Sequence, residues 1–344
     1  MTHSTGSGSS GPAASMPRVS VALCTYNGAE FIEEQLLSIL DQSVPAQEII
    51  VSDDGSTDGT PAAVDRIVAA WRGEHPGQPV TLRVIRNPAP LGVTANFEQV
   101  LAACTGRLIA LSDQDDVWPP KRLALLAAEF QARPGLQLLH TDARLVDETG
   151  RPIGRTLLAT LGVTAAERAA EHEGHAFDIL LRRNIVTGAT VMLRRELVER
   201  ARPFPAAWVH DEWLAIVAAA TGTMDFLDDA LVDYRQHGGN QIGVTSLDAA
   251  GRLSRLRAPR TLRNARLLAR AEALDERAPG LVPVPPDPYL RLITAKAAHE
   301  RVRSALPSAR LRRVLPVLRQ WRTGGYARFG LGPQDVLRDL VQPL

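Results

Sequence analysis

Three aspartates lie within four positions of the stretch "ALSDQDDVW", and their spacing is suited to binding a metal ion. Asp113 is predicted to end a buried strand, and Asp115 and Asp116 fall in the turn that follows it, before Pro119 and Pro120 stop the strand. Carboxylates at positions i and i+2 beyond a strand end can converge on one point, and such hard oxygen ligands suit Mg²⁺ or Mn²⁺. A solvated acidic turn that caps the next helix is the alternative.

A second polar cluster, "SDDGSTDGT", follows another predicted strand. Asp54 is placed to accept hydrogen bonds from a nucleobase or from sugar hydroxyls, and Gly55 and Gly59 allow turn conformations of the backbone. Asp58 or Thr60 could instead cap the helix that begins next, so turn and capping chemistry alone would also explain the cluster.

Two further stretches carry residues that could act on a substrate. In "HDEW", Asp211 stands in the first turn of a predicted helix, where it could be a general base for an acceptor hydroxyl or only an acid favoured by the helix dipole. In "YRQHGGN", His237 follows a strand and precedes two glycines, a position that suits contact with a metal or a phosphate as well as a structural role.

The elements that must position these residues follow an alternating pattern through residue 113. Apolar, β-branched runs predict strands, and apolar residues at helical spacing predict helices. The strands fall at 18–26, from 47 to the polar turn, 80–87 and 107–113, and the helices at 31–42, 61–71 and 92–104. This alternation predicts β-α units and a parallel sheet, and ligands of such sheets bind at the carboxyl ends of the strands, where the polar stretches lie.

After Pro120 the pattern changes. It predicts a helix at 121–131, a strand at 135–147, a strand containing Gly188 that leads to a helix within 184–197, a helix at 210–222 and a strand at 224–240 that ends in a polar glycine loop. Beyond residue 246 the sequence predicts amphipathic helices rich in arginine, a proline linker at 282–288 and two or three short helices.

Composition divides the chain into an acidic front and a basic tail. The 344 residues have a net charge of +1 and 45% apolar content; residues 246–344 carry 19 Lys/Arg against 8 Asp/Glu, and the preceding residues carry 20 against 30. We expect a disordered leader at 1–16, an α/β domain at 17–245 and a basic helical extension at 246–344. No apolar run approaches the ~20 residues of a membrane span. Cys24 and Cys104 are predicted to be buried thiols in a reducing compartment.

Six stretches together, in this order, resemble glycosyltransferase family 2, the nucleotide-sugar transferases with the GT-A fold, and especially its rhamnosyltransferase-like branch. The resemblance covers about residues 18–243. The stretches are "VALCTYNGAEFIEEQLLSILDQ", "EIIVSDDGSTDGT", "LSDQDDVWPPKRL", "NIVTGATVMLRREL", "HDEWLAIVAAATG" and "YRQHGGNQIG". It implies a Rossmann-like, mostly parallel sheet flanked by helices, and here this is followed by an α-helical C-terminal extension.

The resemblance also implies roles for single residues. Asp211 matches the catalytic base, Asp115 the direct metal ligand of a D-x-D motif, and His237 a histidine that reaches the metal or the diphosphate. Residues expected to bind the donor are Thr25, Tyr26, Asn27 and Glu30 around the nucleoside, Asp54 facing the base, Asp113 near the ribose and metal, and Gly188 beside the sugar. Asp116, His210 and Glu212 are further candidates.

The function implied is a metal-dependent, inverting transfer of one sugar, with Mg²⁺ or Mn²⁺ as cofactor. The donor would be a nucleotide-diphosphate sugar, with dTDP-rhamnose favoured by the branch, and the acceptor a hydroxyl of a glycan or a lipid-linked glycan in cell-surface polysaccharide assembly. Three features depart from the pattern of the family. His210 stands where many members have Glu, and the stretch "GVTANFEQ" that begins at Gly92 lacks the Arg that many members carry there. In addition, no Q-x-x-R-W motif follows the base. The last indicates a single addition rather than processive synthesis.

Other interpretations stay open at this point. A sugar-1-phosphate nucleotidyltransferase would usually have a "GGxGTR"-type loop, where this chain has "CTYNGAE". A non-catalytic nucleotide-sugar-binding module would not need Asp113, Asp115 and Asp211. The basic tail could contact an anionic membrane face from the cytoplasm, or form an ordinary helical cap with arginines on its solvent face. Nucleic acid is not an expected partner, because few aromatic residues accompany the arginines.

Overall fold

The computed structural model describes residues 16–78, 80–238 and 259–343. The first half of the described chain alternates strands and helices, as predicted. The elements are β1 (Val19–Thr25), α1 (Ile32–Leu40), β2 (Glu48–Asp53), α2 (Thr60–Glu74), β3 (Thr81–Arg86), α3 (Val93–Ala103), β4 (Leu108–Ser112) and α4 (Arg122–Ala132).

The second half of the α/β region departs more from the pattern. Its elements are β5 (Leu136–Val146), β6 (Pro152–Thr156), α5 (Leu157–Thr160), α6 (Ala165–His172), α7 (Ala176–Arg182), β7 (Met192–Arg194), α8 (Arg195–Ala201), α9 (His210–Thr221) and β8 (Thr223–Arg235). The strand predicted around Gly188 is wrong, because residues 188–190 form a 3₁₀ turn and only three residues after it are extended. Side-chain bonds hold this turn: Thr190 Oγ1 donates to the carbonyl of Thr187 at 2.7 Å.

The eight strands in the described part of the chain form one sheet. Seven of them lie in the order β3-β2-β1-β4-β7-β5-β6, and β8 pairs with β5. The four strands from β3 to β4 are parallel, and β7 joins them to β5 through antiparallel pairings on both sides. Because β2, β1 and β4 are adjacent and parallel, the loops that follow them leave the same edge of the sheet.

Both faces of the sheet are buried. Along β1, Val21 and Leu23 pack into a cluster with α1, α2 and α4, whereas Ala22 and Cys24 pack into a cluster with α3, α7, α8 and α9. A strand that is covered on both sides has a continuous run of apolar residues and not an alternation of apolar and polar ones. This explains the sequence pattern at 18–26. Cys24 and Cys104 are buried and not disulfide-bonded, as predicted.

Within residues 259–343, five helices of the extension pack on the α/β region. They are α10 (Arg260–Arg277), α11 (Asp287–Ser304), α12 (Arg310–Arg322), α13 (Gly325–Phe329) and α14 (Pro333–Val341). Leu274 of α10, Ile293 of α11 and Phe329 of α13 belong to the same buried cluster as α7 and α9. The extension therefore shares a core with the sheet.

Several arginines of the extension lie inside it rather than on a solvent face. Arg303 is 1% exposed, and its Nε donates to Asp339 Oδ2 at 2.7 Å, while Tyr326 donates to the same carboxylate oxygen at 2.9 Å. Arg260 and Arg313 are also buried, and each donates to main-chain carbonyl oxygens. These pairings satisfy charges that would otherwise be costly to bury.

Two predictions of chain organisation fall largely outside the described residues. The leader predicted at 1–16 does so apart from Met16, and the boundary predicted between 245 and 246 lies in the undescribed part between β8 and α10. Among the helices that the structure describes, none has both the length and the apolar composition needed to cross a bilayer.

Candidate functional site

The loops after β1, β2 and β4 begin side by side at the carboxyl edge of the sheet. In the strand register, Thr25 pairs with Asp53 and Leu23 pairs with Ser112. The loops that start at these positions carry "TYNGAE", "SDDGSTD" and "SDQDD". The parallel pairing thus brings three polar stretches, separated along the chain, to one place.

Gln114, the central residue of the D-Q-D stretch, binds the first loop to the third. Its Oε1 accepts from the N–H of Tyr26 at 2.7 Å, and its Nε2 donates to the carbonyl of Tyr26 at 3.0 Å. Gly28 leaves room for this amide, because a Cβ at residue 28 would lie 2.1 Å from Gln114 Oε1. The two loops are therefore held as one unit.

The first loop is also tied to the second. Asn27 has a left-handed backbone, with φ of 48°; its N–H donates to Ser56 Oγ and its Oδ1 accepts from the N–H of Thr57, both at 2.8 Å. Thr25 Oγ1 donates to Asp53 Oδ1 at 2.8 Å. Thr25 and Asn27, predicted to contact the nucleoside, thus also hold the loops in place.

Asp54 anchors the segment that leads into α3. It is buried; its Oδ1 accepts from the N–H of Leu91 at 2.7 Å and its Oδ2 from the N–H of Gly92 at 2.9 Å. Asn87 Nδ2 donates to Oδ1 as well, at 3.1 Å. The contact with a nucleobase predicted for Asp54 would have to use the lone pairs that remain.

The three aspartates of the opening cluster have different surroundings. Asp115 Oδ2 lies 2.8 Å from His237 Nε2, and both side chains are largely buried. Asp116 is fully buried; its Oδ1 accepts from the N–H of Arg235 at 3.2 Å, and within the described residues its Oδ2 has no hydrogen-bond partner. Asp113 lines the cavity described below.

Burial and the negative charges of neighbouring carboxylates raise the pKa values of Asp113 and Asp116. Burial, and then the charges of Asp115 and Asp211, raise the pKa of Asp113 to about 8. Burial and the charges of Asp115 and Asp113 raise the pKa of Asp116 well above its usual range. A cation bound near these aspartates would therefore stabilise their ionised carboxylates.

Arg235, at the end of β8, supports the cluster from behind. Its Nε donates to the carbonyl of Asp115 at 2.8 Å, its Nη1 to the carbonyl of Glu148 at 2.8 Å and its Nη2 to Glu34 Oε2 at 2.5 Å. The guanidinium carbon also lies 5.2 Å from the ring centre of Phe31. β8 thereby fixes the aspartate turn and His237 in one frame.

On the other side of the site, Asp211 opens α9. Its Oδ2 accepts from the N–H of Gly188 at 2.9 Å, and its Oδ1 from the N–H of Glu212 at 2.7 Å. Burial raises the pKa of this carboxyl group, and these two hydrogen bonds partly offset the effect. Because its pKa is raised, Asp211 is a stronger proton acceptor than a solvated aspartate.

The extension reaches this side of the site through Arg270 of α10. Its Nη2 lies 2.5 Å from Glu212 Oε2, and its guanidinium carbon lies 4.1 Å from the ring centre of Trp208. Trp208 Nε1 donates to the carbonyl of Arg270 at 2.9 Å. The first turn of α9 is therefore held by a residue from outside the α/β region.

His210 lies beside the candidate base as a neutral ring. It is 4% exposed and stacks on Phe97 of α3, with ring centres 3.8 Å apart and an angle of 13° between the planes. Burial lowers its pKa to about 3. Neither ring nitrogen has a hydrogen-bond partner among the described residues.

One cavity of about 1030 Å³ joins both sides. Every predicted site residue except Asp116 lines it: Thr25, Tyr26, Asn27, Glu30, Asp54, Asp113, Asp115, Gly188, His210, Asp211, Glu212 and His237. Lining residues that sequence reasoning did not single out include Gln114, Glu148, Asn184, Thr187 and Tyr234. Gln114, Asn184, Thr187 and Tyr234 stand inside stretches already recognised, whereas Glu148 and, outside the cavity lining, Arg270 had no comparable signal.

Comparison with known proteins identifies the family. The family model described as "Glycosyl transferase family 2" matches residues 20–201. The chain belongs to glycosyltransferase family 2. This match includes the loops after β1, β2 and β4 and ends before Asp211.

Two relatives are similar to this chain in sequence, and one solved structure is similar in fold. An uncharacterized glycosyltransferase of Nostoc sp. is 27% identical over 229 residues, 65% of this chain and 66% of that protein. One from Haemophilus influenzae is 33% identical over 233 residues, 66% of this chain and 68% of that protein. The structure of a Pyrobaculum calidifontis mannosyltransferase with GDP-Man and Mn²⁺ has a TM-score of 0.53 and 23% identity, covering 90% of this chain and 77% of that one.

These matches settle the fold and leave the branch open. The eight-stranded sheet flanked by helices is the GT-A fold of family 2, as predicted, and a helical extension follows it. The chain spans just under two thirds of the length of the Nostoc relative. The rhamnosyltransferase-like branch stays a prediction.

The family 2 site has donor atoms that suit a divalent cation. Two ligand atoms at right angles on an octahedral ion with bonds of 2.0–2.1 Å lie about 3 Å apart, and Asp115 Oδ2 and His237 Nε2 are 2.8 Å apart. The unpartnered Asp116 Oδ2 adds negative charge nearby. Among the described residues, no three His, Cys, Asp or Glu side chains lie close enough together to bind one metal ion. Water and phosphate oxygens would therefore complete the coordination.

Proposed function

We propose that this protein is a metal-dependent, inverting glycosyltransferase that moves one sugar from a nucleotide-diphosphate sugar to a hydroxyl of a glycan or lipid-linked acceptor. One observation supports this most directly: Asp211 opens onto the same cavity as the pair of Asp115 and His237. A base and a metal-binding pair that share one cavity are what a metal-assisted single displacement at a sugar carbon requires.

The cavity has room for such a donor. Its volume of about 1030 Å³ is at the upper end of the ~300–1,000 Å³ of small-molecule sites, which fits a nucleotide-diphosphate sugar with part of its acceptor. The loops after β1 and β2 would hold the nucleoside, with Tyr26, Asn27 and Glu30 around it. Asp113, between the two sides, would lie near the ribose.

Asp211 would take the proton from the acceptor hydroxyl as that oxygen attacks the anomeric carbon from the face opposite the nucleotide. The hydrogen bonds from Gly188 and Glu212 hold the carboxylate in place, and its raised pKa favours proton uptake. A single displacement inverts the anomeric configuration and requires no nucleophile from the enzyme.

Asp115 and His237 would hold the Mg²⁺ or Mn²⁺ ion, and Asp116 would contribute charge. Such an ion stabilises the negative charge that builds on the departing diphosphate. We keep dTDP-rhamnose as the favoured donor because of the branch resemblance. The mannosyltransferase of similar fold was solved with GDP-Man and Mn²⁺, which supports a nucleotide sugar and a divalent metal in general.

The substitution Asp211→Asn tests this proposal. We expect turnover to fall by a factor of about 10²–10⁴, because the general base is lost, while the affinity for donor plus Mn²⁺ stays within about twofold. Donors would be chosen from a thermal-shift panel of nucleotide sugars with Mn²⁺ or Mg²⁺, and transfer would be followed by release of the nucleoside diphosphate.

Asp115→Asn is the matched control on the other side of the cavity. It should weaken metal-dependent donor binding and leave the melting temperature without ligands within a few degrees. Transfer by Asp211→Asn at the wild-type rate would show that another group is the base. No stabilisation by any nucleoside diphosphate with either metal would overturn the proposal as a whole.

A further inference from the structure

Helix α12 exposes apolar side chains instead of burying them. Leu311 is 88% exposed, Leu315 79% and Trp321 51%, and Val314 and Leu318 between them are exposed as well. At about 100° per residue these five side chains form one stripe along the helix. The opposite side, with the buried Arg313 and Val317, packs on the extension.

Arginines lie on both sides of this stripe. Arg310, Arg312, Arg319 and Arg322 are all exposed. From 301 to 334 the sequence has eight arginines and neither Asp nor Glu. Within this stretch Arg301 pairs with Glu272 and Arg303 with Asp339, whereas α12 itself has five arginines and no acidic residue, so its surface combines an apolar stripe with positive charge.

We propose that α12 lies in the interface of an anionic lipid bilayer. Leu311, Leu315 and Trp321 would enter the boundary between headgroups and acyl chains, and the flanking arginines would contact lipid phosphates. A helix with a basic polar face and an apolar face of Leu and Trp binds membranes in this way, and arginines near an anionic surface add electrostatic attraction.

The charges favour a bilayer over a second copy of this chain. If two copies packed α12 against α12, the arginines beside the two stripes would come together without carboxylates in this stretch to pair them. The helix has 13 residues and is about 20 Å long, sufficient to lie along a surface. The proposal depends on this surface alone and not on the proposed reaction.

Trp321 provides a reporter at this position. All five tryptophans lie in the described part of the chain, and Trp71, Trp118, Trp208 and Trp213 are each at most 8% exposed. If α12 enters the bilayer, vesicles should shift the fluorescence of the full-length protein to shorter wavelength, and Trp321→Phe should remove the shift while preserving binding.

The experiment compares vesicles made of equal parts phosphatidylglycerol and phosphatidylcholine with vesicles of phosphatidylcholine alone. Co-sedimentation of the full-length protein should require the anionic lipid and weaken with salt. The double substitution Leu311→Ser and Leu315→Ser should reduce the partition coefficient at least about tenfold, because two exposed side chains no longer gain from burial in lipid. Leu125→Ser, at another exposed leucine on α4, is the matched control and should bind like the wild type.

Three outcomes would overturn the proposal. They are failure of the wild-type protein to sediment with anionic vesicles, unchanged binding by the double variant, and binding without a change in Trp321 fluorescence. Analytical ultracentrifugation gives a fourth: a wild-type dimer that the double variant converts to monomers would assign the stripe to a second copy. Loss of sugar transfer by Asp211→Asn affects none of these readouts, so the two proposals fail separately.

Discussion

At the scale of the residue, Asp54 combines a predicted role in binding with an observed role in structure. Its two oxygens accept from the N–H groups of Leu91 and Gly92, which fixes the segment before α3. A carboxylate can accept both bonds, whereas an amide offers only one acceptor oxygen. The two roles therefore predict different results for one substitution.

We expect Asp54→Asn to lower the free energy of unfolding by about 1.5–3 kcal/mol, because one N–H loses its hydrogen bond to a buried carboxylate. Urea denaturation would measure this. Asp65→Asn on α2, which breaks an exposed ion pair with Arg86 at the end of β3, is the control and should change stability by less than about 1 kcal/mol. Unchanged stability with loss of donor affinity would instead place the main role of Asp54 at the nucleobase.

His210 makes the folded protein sensitive to acid. Its pKa is lowered to about 3 in the folded state and is about 6.5 when unfolded, so below pH 6.5 the unfolded chain binds a proton that the folded chain does not. Stability is retained above pH 6.5 and is lost as the pH falls toward 3. Between pH 6.5 and 5 this amounts to about 2 kcal/mol.

The substitution His210→Gln removes this titration. Urea denaturation at pH 7 and pH 5 should show that the variant loses about 2 kcal/mol less than the wild type between these values, whatever its stability at pH 7. His175→Gln, at an exposed histidine just before α7, is the control. Equal losses for His210→Gln and the wild type would mean that His210 is protonated in the folded protein.

At this scale the sequence predicted which residues meet but not how they are held. The end of a strand pointed to Asp115, and the first turn of a predicted helix pointed to Asp211. Gln114 stood inside the D-x-D motif as its variable residue, and only the structure brings its amide against Tyr26. Such contacts depend on side-chain direction, which spacing along the chain does not determine.

At the scale of the element, the first turn of α9 is held at two points. Gly188, in the turn before β7, donates to Asp211, and Arg270 of α10 pairs with Glu212. Arg270 is 59 positions beyond Asp211 in sequence, in a tail whose arginines looked alike. We therefore assign Arg270 a positioning role that acts through Glu212.

The substitution Arg270→Gln should leave Glu212 with a largely buried, uncompensated charge. We expect about 1–3 kcal/mol lower stability and roughly tenfold lower kcat, with little change in KM for the donor, because the base side of the cavity alone is displaced. Adding Glu212→Gln should recover part of the stability. Arg301→Gln, at an exposed ion pair on α11, is the control. A rise in donor KM with unchanged kcat would contradict the positioning role.

The elements themselves were predictable where their burial is uniform. The strands β1, β2 and β4 are buried on both faces, so their apolar runs stand out in the sequence. The segment at 184–197 was predicted as a strand because it is apolar, but the turn at Gly188 is fixed by local side-chain bonds and by its approach to α9. Strand β6 is largely exposed and has no apolar pattern, so it was missed.

At the scale of the whole molecule, the extension is part of the core of the α/β region. Leu274, Ala278, Leu281, Ile293 and Phe329 are all buried in the cluster formed by α3, α7, α8 and α9. The net charge of the sequence changes sign near residue 246, which suggested that the two parts of the chain have separate functions. Shared apolar burial, which charge does not reveal, joins the two parts.

A chain that ends after residue 245 should therefore not fold stably. Each core side chain uncovered by the loss of the extension costs about 1.5–3 kcal/mol, so several together reach the whole stability of a typical domain, about 5–15 kcal/mol. We expect the truncated chain to lack a cooperative urea transition and near-UV circular dichroism, and the full chain to unfold in one transition. A cooperative transition in the truncated chain would show two independent domains.

The close approach of Gln114 to Gly28 limits how positions 28 and 114 can change during evolution. The amide that binds Tyr26 occupies the space that a side chain at residue 28 would need. A larger residue at 28 is compatible with this fold only if the Gln114 side chain moves away or residue 114 becomes shorter, and in either case the bonds to Tyr26 are lost. Among descendants of a common ancestor these two positions, 86 residues apart, should therefore change together or not at all.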